Sequence, residues 1–421
     1  MRKGLSRRHF LGAGIGTVAG AAALAWLYRP RKATTVLDDL VADPNGIIDL
    51  PSGFSYRVLQ RVGDRMTDGF SAPAAPDGMA CFSGDDDSWV VMRNHEVHEG
   101  SPVDEALGFA GNRGGGVTRL VVDRVSGSLR SSNFVLTGTS RNCAGGPSPY
   151  GWLSCEEVGE PGHGYVFLCD ASASTLQAPH RLPALGRFPH EAAAFDAKTG
   201  ITYLTEDTSD SAIYRHVPDR PGQPFISGEL QALKVSGKDR FALSEGPKLG
   251  DAFAVEWVTV PDPEALKAST RDQAHNAGAA FLSRGEGAWF ADKHVYLCST
   301  DGGPVRRGQL YRLDISVGGK DSLALVAQAE NDASFDNPDN VTVSPWGDVF
   351  LAEDGEAPNG VRVLKSDGSL QHFARNVIDG GESEITGVCF SPDGEWLFLN
   401  LQWEGLTLAV TGPFSKLLGR V

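Results

Sequence analysis

At 421 residues and 41% hydrophobic content the chain can bury a large core, which excludes a disordered or fibrous class. Its 51 glycines and 24 prolines are too many turn formers for a helical protein and suit many short strands joined by tight turns. With 53 acidic against 38 basic residues the formal charge is −15, which excludes nucleic acid as a binding partner and suits a protein that collects cations.

The chain opens on Ser6-Arg7-Arg8-His9-Phe10-Leu11, followed by a small, weakly apolar run from Gly12 to Leu27. That pattern reads as a twin-arginine export signal over residues 1–33, handled by the twin-arginine translocation machinery, and implies a periplasmic or secreted protein. Ala23-Leu24-Ala25 offers a cleavage site; an uncleaved signal would instead tether the protein to a membrane. Arg2, Lys3, Arg7, Arg8, Arg29, Arg31 and Lys32 are balanced by no acid, so removing these seven cations takes −15 to −22. Gly12-Ala13-Gly14-Ile15-Gly16 is not a nucleotide fingerprint, because no strand precedes it.

Residues 34–421 read as a single domain. After one strand within 50–59, a unit recurs: a strand, a Gly/Asp turn, then an apolar strand ending in ligand-type residues. Residues 190–207, 338–354 and 385–402 show it most clearly, and 78–96, 142–157 and 279–301 fit the same template. The copies end at Glu96, Glu157, Asp207, Asp301, Asp354 and Gln402. The long interval between Asp207 and Asp301 holds an insertion, roughly residues 215–276, with a predicted helix over 263–272. Further strand pairs lie between the copies. Four-stranded units recurring at about 40–50 residues signal a β-propeller. The expected fold is all-β, a six-bladed β-propeller with a helical insertion; a seventh blade in the insertion or the lead-in is the alternative.

In a propeller the equivalent strand ends converge on one mouth. Asn94 and Glu96, Glu156 and Glu157, Glu206 and Asp207, Asp301, Glu353 and Asp354, and Asn400 and Gln402 would meet there. Facing carboxylates do not stay ionised uncompensated, and bound cations are the usual remedy. Oxygen-rich clusters suit Ca²⁺, and a thiolate admits a metal such as iron. The six cysteines show no CxxC pair. Cys81, Cys155, Cys298 and Cys389 sit in strand-like runs as small buried hydrophobes, whereas Cys143 lies in an Asn/Gly/Pro turn. His190 and His275 each precede a first strand, and His95 lies between Asn94 and Glu96. The bland alternative is that the acids are solvated strand ends and Cys143 a structural thiol. No G-x-S-x-G and no HExxH occurs, which argues against serine hydrolase and zincin chemistry.

Arg93-Asn94-His95-Glu96, Asn142-Cys143-Ala144-Gly145-Gly146 with Ser154-Cys155-Glu156-Glu157, Gly186-Arg187-Phe188-Pro189-His190-Glu191-Ala192-Ala193 and Tyr203-Leu204-Thr205-Glu206-Asp207 resemble, with the export signal, the PhoX-type alkaline phosphatases. The likeness extends to Asn400-Leu401-Gln402, and the NCAGG…CEE pair is its specific part. It implies a propeller that holds Fe³⁺ and Ca²⁺ and hydrolyses small-molecule phosphate esters outside the cytoplasm. Family ligation of iron by cysteine falls on Cys143, and family carboxylate ligands on Glu156 or Glu157, Glu191, Glu206 and Glu353. Glu96, Asp207, Asp339 and Asp354 complete the candidate ligands, and Asn94 and Arg187 are the candidate catalytic residues. A monomer is expected. One departure stands out: where the larger enzymes carry Arg-Pro-Glu, this chain has Asn337-Pro338-Asp339. If that arginine clamps phosphate, the clamp is missing here unless Arg141, Arg187 or Arg307 replaces it. A calcium-dependent lactonase or phosphotriesterase-like propeller, and a non-catalytic propeller with structural ions, are the competing readings.

Overall fold

Six short strands, Pro76–Ser83, Asn142–Ser148, His190–Phe195, Gly285–Ala291, Pro338–Val343 and Ile385–Phe390, stand side by side around one axis in a computed structural model. Each packs beside the next, and Ile385–Phe390 packs back against Pro76–Ser83, so the ring closes. The structure describes residues 40–416 apart from Asp86, Val317, Gly319, 332–334, Ala357 and 366–367. The predicted export signal lies outside the described residues.

Every inner strand pairs antiparallel with the next strand of the chain, namely Ser88–His95, Gly151–Glu156, Thr202–Glu206, His294–Ser299, Val349–Glu353 and Trp396–Leu401. The turns explain the pairing. In Ser344-Pro345-Trp346-Gly347 the Gly347 N–H donates to the Ser344 carbonyl at 2.9 Å, and Gly394 does the same to Ser391 at 2.8 Å. Both glycines have positive φ, 88° and 76°, which other residues reach only with strain.

Outward, the arrangement is propeller-like and all-β. The sheet begun by Pro76–Ser83 has four strands and that begun by Asn142–Ser148 has three. Ala252–Thr259 pairs with both Gly228–Val235 and Ser322–Gln328, which joins two neighbouring units into one nine-stranded sheet. Ser55–Arg61 hydrogen-bonds to Leu406–Thr411, so the N-terminal side of the fold supplies the outermost strand of the last sheet. The insertion therefore carries three strands, Tyr214–Pro218, Gly228–Val235 and Ala252–Thr259, against one short helix. The one α-helix among the described residues is Thr270–Asn276, which starts after the predicted position because Ser269 is its N-cap, accepting from the Asp272 N–H. Pro263 lies upstream, in a turn where Asp262 accepts from the N–H groups of Leu266 and Lys267.

Apolar residues fill the wedges between sheets. Met79, Trp89 and Val91 meet Cys389, Phe398 and Ala409 at the ring closure, and burying each large side chain contributes roughly 1.5–3 kcal/mol. At the axis the backbones approach so closely that a Cβ at Gly78 would lie 2.6 Å from the Ala144 Cα. Below the mouth, residues of all six inner strands line a narrow axial cavity, which Met79, Trp152 and Trp289 help to fill.

Candidate metal centre

Five inner strands begin the same way. Between Pro76 and Met79, Asn142 and Gly145, His190 and Ala193, Gly285 and Ala288, and Pro338 and Asn340 the ladder loses register. A bulge re-aims the side chain it contains. The second residues of these strands are Asp77, Cys143, Glu191, Glu286 and Asp339, and all five lie at the mouth. The sixth strand loses register one residue later, between Thr386 and Cys389, and its second residue is Thr386, whose hydroxyl donates to the Pro76 carbonyl. There the carboxylate comes from Glu384, just before the strand.

A second arc comes from the residues directly after the second strands: Glu96, Glu157, Asp207, Thr300, Asp354 and Gln402. Ligand atoms within 4.8 Å of one another group as Asp77–Glu96–Cys143, Cys143–Glu157–Glu191, Glu191–Glu286–Asp339 and Asp339–Asp354–Glu384. Shared members make one continuous line of ligand atoms across the mouth. The structure thus brings together Cys143, Glu96, Glu157, Glu191, Asp339 and Asp354 from the sequence candidates, and adds Asp77, Glu286 and Glu384.

Glu191 is 0% exposed, and neither of its carboxylate oxygens has a hydrogen-bond partner. Glu286 Oε2 is likewise buried without one. Burial, then the charges of Asp339 and Glu157, holds the Glu191 carboxyl well above the usual carboxylate range. Burial with Asp207 and Asp339 raises Glu286, and for the partly exposed Glu384 desolvation with Asp354 and Asp339 acts in the same direction. Burial with Asp77 raises the Cys143 thiol, which donates to Asp77 Oδ2 at 3.4 Å. Unpaired buried carboxylates are costly. Cations among them would satisfy the free oxygens and favour the ionised forms, so the donor set fits metal ions.

Among the described residues, Arg141 and Arg284 reach this mouth. Arg141 places its guanidinium on Glu96 at 2.7 Å and Glu157 at 2.9 Å, and Arg284 bridges Asp207 at 2.9 Å and Glu286 at 2.6 Å. Each stands two residues ahead of an inner-strand ligand with positive φ, 50° and 46°. Ala75 and Asn337 hold the same place with φ 47° and 49°. The buried Asn337 amide donates to the Thr300 carbonyl at 2.7 Å. Arg307 pairs with Asp336 and Glu356, so of the three possible replacement arginines Arg141 is the one on the acidic line.

Several sequence candidates lie elsewhere. Glu156, Glu206 and Glu353 are the last residues of their second strands, and successive side chains on a strand face opposite sides. Glu156 accepts from the N–H groups of Ser140 and Gly164 at 2.9 Å, with His163 at 2.8 Å. Glu206 takes Arg271 at 2.7 Å and the Tyr214 hydroxyl at 3.0 Å, and Glu353 takes Arg362 at 2.9 Å. All three are buried and engaged by these neighbouring strand, helix and loop groups, outside the acidic line. Asp207 flanks the line through Arg284.

Asn94 is fully buried and donates to the Cys143 and Ala144 carbonyls at 2.8 Å. It accepts from Trp152 Nε1 at 2.7 Å and Ser154 Oγ at 2.8 Å. With its amide so engaged, Asn94 positions the Cys143 strand and has no hydrogen-bonding capacity left for a substrate. Arg187 is held by the backbone carbonyls of Glu264 at 2.8 Å and Ala265 at 3.0 Å, so it ties a loop down.

Two of the three additional residues, Asp77 and Glu286, have a faint signal in the chain. Pro76-Asp77-Gly78 and Gly285-Glu286-Gly287 repeat the acid-then-small pattern of His190-Glu191-Ala192. Glu384 lacks it, because it lies outside its strand.

Comparison with known proteins accords with this geometry. The sequence model of the family described as "Alkaline phosphatase PhoX" matches residues 35–132 and 123–405. No curated protein matches the chain by sequence. Pseudomonas fluorescens PhoX, solved in complex with vanadate as a transition state analogue, shares the fold with a TM-score of 0.68 and 19% identity, over 87% of this chain and 96% of that one. A gluconolactonase from Xanthomonas campestris is more distant, with a TM-score of 0.45 and 13% identity over 86% and 97%. With the family model spanning nearly all of residues 35–405, the chain belongs to the alkaline phosphatase PhoX family and is an enzyme of the phosphatase class.

Proposed function

We propose that this chain is an exported phosphomonoesterase that acts on small-molecule phosphate esters with Fe³⁺ and Ca²⁺ held in its mouth. The observation that carries the metal reading is Glu191, a fully buried carboxylate with both oxygens unpartnered amid further acids and a thiol. The Cys143 end, with Glu157 and Glu191, has the mixed sulfur and oxygen donors that suit iron. The Asp339–Asp354–Glu384 end is all oxygen and suits Ca²⁺. When bound, such cations act as Lewis acids on phosphoryl oxygens.

The chain's own residues have separate tasks. Asn94 fixes the strand that carries Cys143, and Arg141 and Arg284 bring positive charge to the mouth, where they can orient a phosphoryl group. The closed ring of six inner strands, each starting its own ladder, supports a six-bladed propeller in residues 34–421. The twin-arginine pattern of residues 1–33 supports export, and the soluble fold unit is taken as a monomer. A calcium-dependent lactonase has the all-oxygen end in its favour.

The test is elemental analysis of the exported protein together with hydrolysis of an aryl phosphate, for wild type and Cys143→Ala. Iron, calcium and phosphate release in the wild type, with iron and activity lost in Cys143→Ala, are expected. An iron-free wild type that opens a lactone and spares the phosphate ester would replace this reading with the lactonase.

A further inference from the structure

Trp403 is the one tryptophan among the exposed large apolar side chains of the described residues, at 54% exposure. It sits in the turn Gln402–Gly405 between Trp396–Leu401 and Leu406–Thr411, which the Gly405 N–H closes on the Gln402 carbonyl at 3.1 Å. Gly405 has φ 63°, which keeps this turn tight. Its neighbour Gln402 points into the mouth, donating to Asp77 at 2.8 Å and Glu96 at 3.1 Å. On the other side, the Trp403 N–H is held by Ser383 Oγ at 3.0 Å, and Ser383 precedes Glu384. The backbone carrying the indole is thus tied to Asp77 and Glu96 through Gln402 and to the residue before Glu384 through Ser383, and the ring is exposed to solvent.

A rigid aromatic ring offers contact area at small entropic cost, and a flat ring stacks on its face whatever its substituents. Gln402 ties this turn to the Asp77–Glu96 end of the line, so an ester substituent leaving that end on the turn's side would meet the indole. We propose that Trp403 is a specificity-determining residue that stacks on the leaving group of phosphomonoesters bearing a flat aromatic ring, aryl phosphates and nucleotides alike, and favours them over alkyl phosphates.

Because this role rests on the phosphomonoesterase reading, the experiment pairs turnover with binding of phosphonates that cannot be hydrolysed. On the metal-loaded full chain, kcat/KM is measured for phenyl phosphate, adenosine monophosphate and glycerol 2-phosphate. Calorimetry gives Kd for phenylphosphonate and methylphosphonate. Trp403→Ala is expected to lower the aromatic-to-alkyl ratio about tenfold in both measurements, through KM and Kd, with Trp403→Phe retaining most of it. An aromatic-to-alkyl ratio that is the same in wild type and Trp403→Ala, in turnover and in binding, overturns the role. If no ester is turned over but the phosphonates are still discriminated through Trp403, the phosphatase reading fails and the stacking role stands.

Discussion

Glu156 and Glu157 are consecutive in the chain and serve opposite sides of their sheet. Glu156 is a buried anchor for the Ser140 and Gly164 N–H groups, whereas Glu157 receives Arg141 and lies among the ligand atoms with Cys143 and Glu191. Glu353 and Asp354 divide in the same way, and Asp207, next to the buried Glu206, flanks the line through Arg284.

This division separates two kinds of loss. Glu156→Gln should destabilise the fold by about 1–3 kcal/mol, since buried donors lose a charged acceptor, while each folded molecule keeps its metal. Glu157→Gln should lower metal content with the metal-free melting temperature unchanged or raised. Thermal melts and elemental analysis on both variants check the pair, and equal metal loss in both would contradict it.

Glu191→Gln should act with opposite signs in the two forms of the protein. Without metal, removing an unpartnered buried carboxylate should stabilise the chain by about 1–3 kcal/mol at pH 8. With metal, the same change removes a central ligand and should cost at least about 10-fold in affinity. Chelator-treated and metal-loaded melts of the variant and wild type give both signs.

Asn94→Ala should reduce activity by loosening the Cys143 strand, because Trp152, Ser154 and two carbonyls lose their partner. A stability loss of about 3 kcal/mol or more is expected. The informative measurement is kcat per bound iron, which should hold near wild type in the molecules that remain folded. A collapse of that value with stability intact would make Asn94 catalytic after all.

Arg141→Ala should weaken competitive inhibition by inorganic phosphate or vanadate about tenfold or more, with iron retained, and Arg141→Lys should recover part of it. Inhibition constants against an aryl phosphate test this. Unchanged inhibition would leave Arg141 as a structural counter-ion to Glu96 and Glu157.

Stability should depend on pH in opposite directions with and without metal. A carboxyl whose folded pKa is raised binds its proton more tightly when folded, so stability falls as pH rises from the unfolded value through the folded one. For Glu206, raised by burial from 4.5 to about 7, that window accounts for on the order of 3 kcal/mol. Glu191, Glu286 and Glu384 shift in the same direction. The chelator-treated chain should therefore melt higher at pH 5 than at pH 8. Metal-loaded protein should reverse the order, because the ligands bind deprotonated.

Much of this was legible in the chain because it depends on short-range pattern. The repeated strand–turn–strand unit announced an all-β, propeller-like protein, and the acids at its strand ends announced a mouth. The family resemblance rested on Asn142–Gly146 and Ser154–Glu157, which lie in one hairpin. Two things resisted that reading. Adjacent acids such as Glu206 and Asp207 look alike in a sequence, and only pairing across the sheet decides which faces the axis. The bulges that aim Asp77 and Glu286 arise where neighbouring strands meet, and Glu384 enters from a loop.

The sequence by itself determined the period, the acidity and the isolated thiol of Cys143, since each is a property of residue order and composition. The tertiary structure alone decided which carboxylates share the mouth with that thiol. Closing the ring brings Asp77 and Glu384, more than 300 residues apart, onto one continuous line of ligand atoms. It also buries Glu191 where neither water nor a hydrogen-bond donor reaches its oxygens.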